Sequence, residues 1–332
     1  MNLIKPAVAL LSTAAIAATL LSGPTAASAA PLGTESPEAT ASVVRAAGND
    51  PSAPVVRLSS TGDTFTGAAV SVSKDADSPV VIGTGTADTI ALTLPKVTGS
   101  ATVQTADGTL VRPGRSASTA VQALADGHVR ALVTLHDAKA PKAYDFDFDL
   151  PSGAKLEPAG DGGLDIVTAD GAVVLGAVAA PWAKDRTGKS LHTWYEVDGG
   201  TVTQHIDTAG ALYPVVADPD VVKFCGGVTC SFYWKRSATK ALQGTLGAGG
   251  SAAGIIAGAT GCAKIPVPVA AGACAAAVVV SGVAAAYEIN KAANRKGCFV
   301  VRINMVQAVL PTQQIAAVSF DDVPSTNKNC KA

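Results

Sequence analysis

Aromatic residues make up 5% of this 332-residue chain and charged residues 15%, so neither stacking platforms nor charge networks dominate it. No cysteine precedes Cys225 and no histidine follows His205. There is no Gly-x-Ser-x-Gly elbow, no phosphate-cradling Gly loop opening a helix, no Cys-x-x-Cys pair and no Asn-x-Ser/Thr sequon. These absences leave no catalytic or cofactor motif by which an enzyme class could be named. What is abundant is apolar and small: 48% hydrophobic residues and 33 glycines, in a length that suits about two domains with cores of small side chains.

The N-terminus reads as a secretory signal over residues 1–29. Lys5 supplies the basic start, an apolar run over 7–21 is too short to span a bilayer comfortably, and Ser22-Gly23-Pro24 breaks it. Ala27-Ser28-Ala29 offers the small residues that place cleavage before Ala30. No cysteine follows for an N-terminal lipid, and Leu310-Pro311-Thr312-Gln313-Gln314 lacks the glycine and apolar tail of a sortase signal. The expected product is secreted and extracellular, either released or held at the envelope non-covalently.

Residues 30–55 lack periodicity and read as a flexible leader. Residues 56–222 alternate with period two, as in Val70-Ser71-Val72-Ser73 and Ile90-Ala91-Leu92-Thr93-Leu94, and carry turn signals at Asp107-Gly108, Asp126-Gly127, Asp170-Gly171 and Asp198-Gly199. An antiparallel β-sandwich or partial barrel follows. Its clearest strand is residues 144–150, with Tyr144, Phe146, Phe148 and Leu150 on one face and Asp145, Asp147 and Asp149 on the other.

Residues 223–332 form a second, basic region. They hold 11 Lys and Arg against 3 Asp and Glu, a balance of +8, whereas residues 6–222 hold 13 against 23, a balance of −10. Either the two regions face each other, or the basic one faces something anionic, or the two are unrelated solvated surfaces. A strand over 228–234, a helix capped by Ser237 or Thr239 and running to about Cys262, a second helix from Pro268 to about Asn294 ended by Gly297, and a strand from Cys298 to Ile303 make an αα-hairpin on a two-stranded base. The class is therefore α+β with two domains.

Gly250, Gly254 and Gly258 set a groove on the first helix suited to close helix packing. Lys264 is the one charge between Ala241 and Tyr287, and the two uncharged stretches of 23 residues exceed the ~20 needed to cross a bilayer. The first stretch is mostly Gly and Ala, which favours a soluble, disulfide-stapled hairpin over insertion. All six cysteines lie in this region, and three disulfides have 15 connectivities. An antiparallel hairpin predicts a nested set: Cys262 with Cys274 at the tip, Cys230 with Cys298 at the base, and Cys225 with Cys330.

Asp149-Leu150-Pro151-Ser152-Gly153, Ala180-Pro181-Trp182-Ala183-Lys184-Asp185, Thr193-Trp194-Tyr195-Glu196-Val197-Asp198-Gly199 and Tyr213-Pro214-Val215-Val216-Ala217-Asp218-Pro219 together resemble a module of uncharacterised exported proteins of actinobacteria. Similar Tyr-Pro-Val-x-x-Asp-Pro endings precede the repeats of large wall-associated proteins of that group. Val228-Thr229-Cys230-Ser231 and Lys296-Gly297-Cys298 resemble tails in the same group. The resemblance implies a fold and an extracellular place, and it transfers no functional residue.

Among candidate sites, Asp145, Asp147 and Asp149 open a calcium-loop pattern, but Leu150 and Leu156 occupy the positions where that loop needs Gly and Glu. His192 and His205, near Asp185, Asp198 and Asp207, lack the helical spacing of a metal pair, and His128 and His136 offer less. The expected function is non-enzymatic and needs no cofactor: contact with an anionic membrane or cell-wall polymer, not nucleic acid, through Lys235, Arg236, Lys240, Lys291, Arg295 and Lys296 gathered at the hairpin base. A secreted hydrolase with a site in the β domain and a structural wall-associated protein are the alternatives.

Overall fold

Tyr144, Phe146 and Phe148 are buried and Asp145, Asp147 and Asp149 exposed along the strand Ala143–Asp149, the alternation that period-two patterning demands of a half-buried sheet. The computed structural model describes residues 35–48, 53–67, 70–83, 89–97, 101–225, 228–246 and 261–332. Residues 1–29, expected to be a secretory signal, and Gly250, Gly254 and Gly258 lie outside the described residues.

In chain order the elements begin with α1 (Pro37–Gly48), β1 (Val55–Val56), β2 (Ser59–Thr61), β3 (Thr64–Thr66), β4 (Val70–Ser73), β5 (Val80–Ile82) and β6 (Ile90–Thr93). There follow β7 (Val103–Gln104), β8 (Leu110–Arg112), β9 (Ala117–Leu124), β10 (Val129–Leu135), β11 (Ala143–Asp149), β12 (Ala154–Pro158), β13 (Leu164–Thr168) and β14 (Val173–Val178). Next are β15 (Ala183–Lys184), β16 (Ser190–Leu191), β17 (Thr193–Asp198), β18 (Thr201–Ile206), β19 (Val215–Ala217) and β20 (Asp220–Lys223). The C-terminal part adds β21 (Thr229–Trp234), α2 (residues 236–246), α3 (Pro268–Asn294), β22 (Cys298–Asn304), α4 (Met305–Ala308) and β23 (Val318–Val323).

Every pairing is antiparallel, in two unclosed sheets: a small one in the order β17-β18-β11-β6-β5-β4-β3-β2, and a larger one whose spine runs β16-β15-β19-β10-β20-β14-β21-β22-β23. Val72, Ile82, Leu92 and Phe146 of the small sheet share one apolar core with Leu110, Val121, Val133 and Ile166 of the large one, a sandwich-like α+β arrangement. Burying one such side chain contributes roughly 1.5–3 kcal/mol. All four expected Asp-Gly turns form, with Gly108, Gly127, Gly171 and Gly199 at positive φ. In three of them the aspartate Oδ1 accepts the backbone N–H two residues on, from Thr109, His128 and Ala172.

Three features differ from the sequence expectations. Within residues 30–55, read as a flexible leader, the segment 37–48 is a helix. Thr40, Ala41 and Val44 bury one face of α1 against Val111, Ala120, Leu132 and Val216. Ser36 caps its start by accepting the Ala39 N–H, while Lys184 Nζ and Arg130 Nη1 donate to the carbonyls of Ala47 and Gly48 at its end.

Second, the expected boundary at 222/223 falls inside β20. Strand β14 pairs with both β20 and β21, so one sheet runs on from the acidic segment into the basic one.

Third, the disulfides are sequential: Cys225–Cys230, Cys262–Cys274 and Cys298–Cys330. The tip bridge matches expectation and the two nested ones do not. The β21–β22 register sets Cys230 opposite Ile303, five residues along from Cys298, or about 17 Å at ~3.3 Å per residue, well past the ~7 Å a disulfide spans. Strand β23, which the sequence reading missed, returns Val323 opposite Cys298 and so brings the C-terminus to it.

Candidate functional site

The C-terminal helical region is assembled from the strand base upward. Trp234 ends β21, and the Thr239 hydroxyl donates to its carbonyl while accepting the Phe299 N–H of β22, which fixes the start of α2 on the sheet. Gln243 Nε2 then donates to Asn290 Oδ1 and Asn294 Oδ1, holding α2 beside the end of α3. Cys262–Cys274 ties the segment preceding α3 to its first turns.

Helix α3 matches its expected bounds, with Pro268 in its first turn. One face is small and buried: Ala270, Ala273, Cys274, Ala277, Val278, Ala285, Ile289 and Ala292, at spacings of three and four residues. That face packs on β22 and β23. The opposite face is also apolar but open. Val269, Val279 and Val280 before a break in the helical backbone at Ser281 (φ −120°, ψ 30°), and Val283 and Tyr287 after it, are exposed, Val283 by 84%. By length and composition α3 can cross a membrane, and a third of its most apolar stretch is buried in the protein (33%).

At the end of α3 the backbone turns sharply. Lys296 adopts φ 56°, and a Cβ on Gly297 would lie 2.2 Å from the Val323 carbonyl oxygen, so only glycine lets α3 pass this close to β23.

The six expected contact cations separate into two sets. Lys235 donates to Glu157 at 2.7 Å. Lys291 reaches the buried Asp322 at 2.9 Å and Glu288 at 3.2 Å, and Arg295 also pairs with Asp322. Hydrogen bonds to Asp322 and Glu288 hold the Lys291 ammonium above its usual value. Arg236, Lys240 and Lys296 are exposed and have no carboxylate partner among the described residues.

The charge division proves partly internal. Among the described residues four ion pairs join the acidic and basic segments: Lys235 with Glu157, Lys264 with Asp170 at 2.5 Å, and Lys331 with Asp165 at 3.1 Å and Asp161 at 3.9 Å. The two segments thus face each other, one of the readings their charge allowed. Burial opposes ionisation of Asp170, but hydrogen bonds from Lys264, the Ala172 N–H and Thr168 bring its carboxyl down to about 2. A cleft of about 470 Å³ opens between α2 and the turn at Gly171, with Lys264 and Asp170 among its lining residues.

The histidines do not converge. His192 and His205 flank Trp194 on the outer face of the small sheet, ring centroids 5.0 and 5.1 Å away, and His205 lies 3.3 Å from Glu196. His128 pairs with Asp126. His136 Nε2 meets Ser118 Oγ at 2.8 Å, but Ser118 is wholly enclosed and accepts the Gly114 N–H, which makes the contact a brace between β9 and β10 rather than an accessible nucleophile. Asp145 and Asp147 accept hydroxyl hydrogen bonds from Thr203 and Thr201 across the ladder.

One constellation escaped sequence reasoning. The motifs around Trp182, Tyr195 and Asp218 meet where the two sheets join. Trp182 N–H donates to Asp218 Oδ1 at 2.8 Å, and Gln204 Nε2 donates to the Trp182 carbonyl. Gln204 stands opposite Tyr195 in the β17–β18 ladder. Asp218 Oδ2, Gln204 Oε1 and the Tyr195 hydroxyl are all buried without a hydrogen-bond partner. Burial, then the nearby Asp220 charge, pushes the Asp218 carboxyl well above the carboxylate range, and burial likewise raises Tyr195. The motifs were visible as strings, but nothing in their spacing places residues 182, 195 and 218 together.

No protein-family model, no curated protein and no solved structure matches the chain.

Proposed function

We propose that this is an exported, non-enzymatic interaction protein of the actinobacterial type its motifs resemble, and that its C-terminal helical region contacts an anionic surface of the cell envelope. The observation that carries this reading is the open apolar face of α3, formed by Val279, Val280, Val283 and Tyr287, in a helix whose end is held beside α2 with the exposed Arg236, Lys240 and Lys296. Apolar contact supplies depth and the cations supply attraction to anionic headgroups or wall polymers, about 1 kcal/mol per Lys or Arg near an anionic membrane surface. Three disulfides are compatible with an extracellular protein and support the export reading.

Co-sedimentation of the mature protein with anionic vesicles tests the proposal. Binding is expected to weaken with salt and to fall by at least tenfold in the variant Arg236→Glu/Lys240→Glu/Lys296→Glu. Equal recovery on anionic and neutral vesicles would overturn the electrostatic part. No recovery on anionic vesicles or on isolated wall polymer would overturn the whole.

A further inference from the structure

We infer that the open edge of the small sheet, strand β17, is a docking site for an extended cationic polypeptide segment in which basic and apolar residues alternate. Strand β17 closes one end of that sheet and bonds only to β18 among the described strands. The Asp207 N–H donates to the His192 carbonyl, which sets the even-numbered residues of β17 against β18. Thr193, Tyr195 and Val197 therefore turn their own N–H and C=O groups outward, a ready ladder for one more strand.

Both sides of this edge select the same partner. On the core side Tyr195 and Val197 pack against the apolar core but remain only half-buried, so an added strand's apolar residues would cover them. On the outer side β17, β18 and β11 are in register, and the exposed residues are Trp194, Glu196, Asp198, Asp145, Asp147 and Asp149. None of these five carboxylates has a Lys or Arg partner among the described residues. Glu196 meets only His205. Asp107, Glu157, Asp170, Asp220, Asp321 and Asp322, by contrast, each meet a lysine or arginine. A strand with alternating Lys or Arg would set its cations beside Glu196 and Asp198, one of them against the Trp194 ring, while the β11 aspartates, about 14 Å across the sheet, add to the negative potential of the face. Charge complementarity thus fixes the partner's chemistry, and the two-sided edge fixes its period of two.

The test uses the folded mature protein and a fluorescent peptide of about eight residues with alternating Lys and Val, a length matched to one strand. Anisotropy reads binding, and the emission of Trp194, compared with that of Trp194→Phe, reports the site. Expected are saturable binding, a roughly tenfold loss in Glu196→Gln/Asp198→Asn, and loss of binding in Val197→Pro, which removes an outward N–H without breaking a bond to β18. If Val197→Pro does not fold, Glu196→Gln/Asp198→Asn decides, and unchanged affinity overturns the proposal. A peptide of the same composition interrupted by two central prolines is expected not to bind. Equal binding of that peptide would reduce the effect to charge alone and overturn edge addition, as would a Trp194 response to a neutral polysaccharide but not to the alternating peptide.

Discussion

At Asp218 a carboxyl group is wholly enclosed, one oxygen accepting the Trp182 N–H and the other left without a partner beside the Arg130–Asp220 ion pair. Its pKa is raised in the folded protein, so in the window from about pH 4 upward the folded state keeps a proton that the unfolded chain has released. Stability therefore falls as pH rises through that window. Asp218→Asn keeps the Oδ1 acceptor and never ionises, and it is expected to flatten this slope and raise the melting temperature at pH 8 relative to the wild type. Melting curves from pH 4 to 9 check it. A variant that keeps the wild-type slope, or melts lower at every pH, would show that Asp218 is ionised when folded. The Asp-Gly turns were readable at this scale because an Asx turn is local chemistry. The Asp218 junction was not, because its members come from strands that only the folded sandwich brings together.

Helix α3 shows which face of an element carries stability. Its buried residues are mostly alanines, with Cys274, Val278 and Ile289 the larger ones, and its exposed large apolar residues are four valines and Tyr287, so much of its apolar bulk lies on the side that contributes least to folding. Ile289→Ala is expected to cost about 2–5 kcal/mol, whereas Val283→Ser should change stability by no more than about 0.5 kcal/mol. Denaturant titration of the two variants checks this, and comparable losses would mean that the valine face is covered in the free protein.

Elements with a local signature were legible in the sequence: β11 by its alternation, α3 by Pro268 and an uncharged run. Helix α1 carried its own signal in Ser36 and Pro37, a cap and a first-turn proline, which the lack of wider periodicity masked. Strand β23 was illegible because Asp321 and Asp322 look like solvent residues until Arg302, Lys291 and Arg295 are set beside them by folding.

Over the whole molecule, the acidic and basic segments are neither independent nor separable. They share a sheet and, among the described residues, four ion pairs, so part of the basic surplus is consumed inside the protein. The cations of the candidate contact surface could be listed from sequence. Which of them are engaged could not, since Glu157 lies 78 residues from Lys235. Neutralising Glu157 and Asp170 with Glu157→Gln/Asp170→Asn frees Lys235 and Lys264, and affinity for anionic vesicles is expected to rise by roughly tenfold at low salt. The exposed Lys264–Asp170 pair contributes little to folding, on the order of 0–1 kcal/mol, whereas Lys235–Glu157 is partly buried. Unchanged affinity in a flotation assay would show that these lysines do not face the bound surface.

The central claim is that the valine face of α3 meets an anionic envelope surface. All cysteines among the described residues are in disulfides, so Val283→Cys provides a thiol that can be labelled selectively with an environment-sensitive fluorophore. On titration with anionic vesicles the emission is expected to shift to the blue, saturably and reversibly with salt, and to stay unshifted with neutral vesicles. An emission that remains that of a water-exposed probe while the protein co-sediments with the vesicles would contradict the account, because the protein would then be bound through another surface.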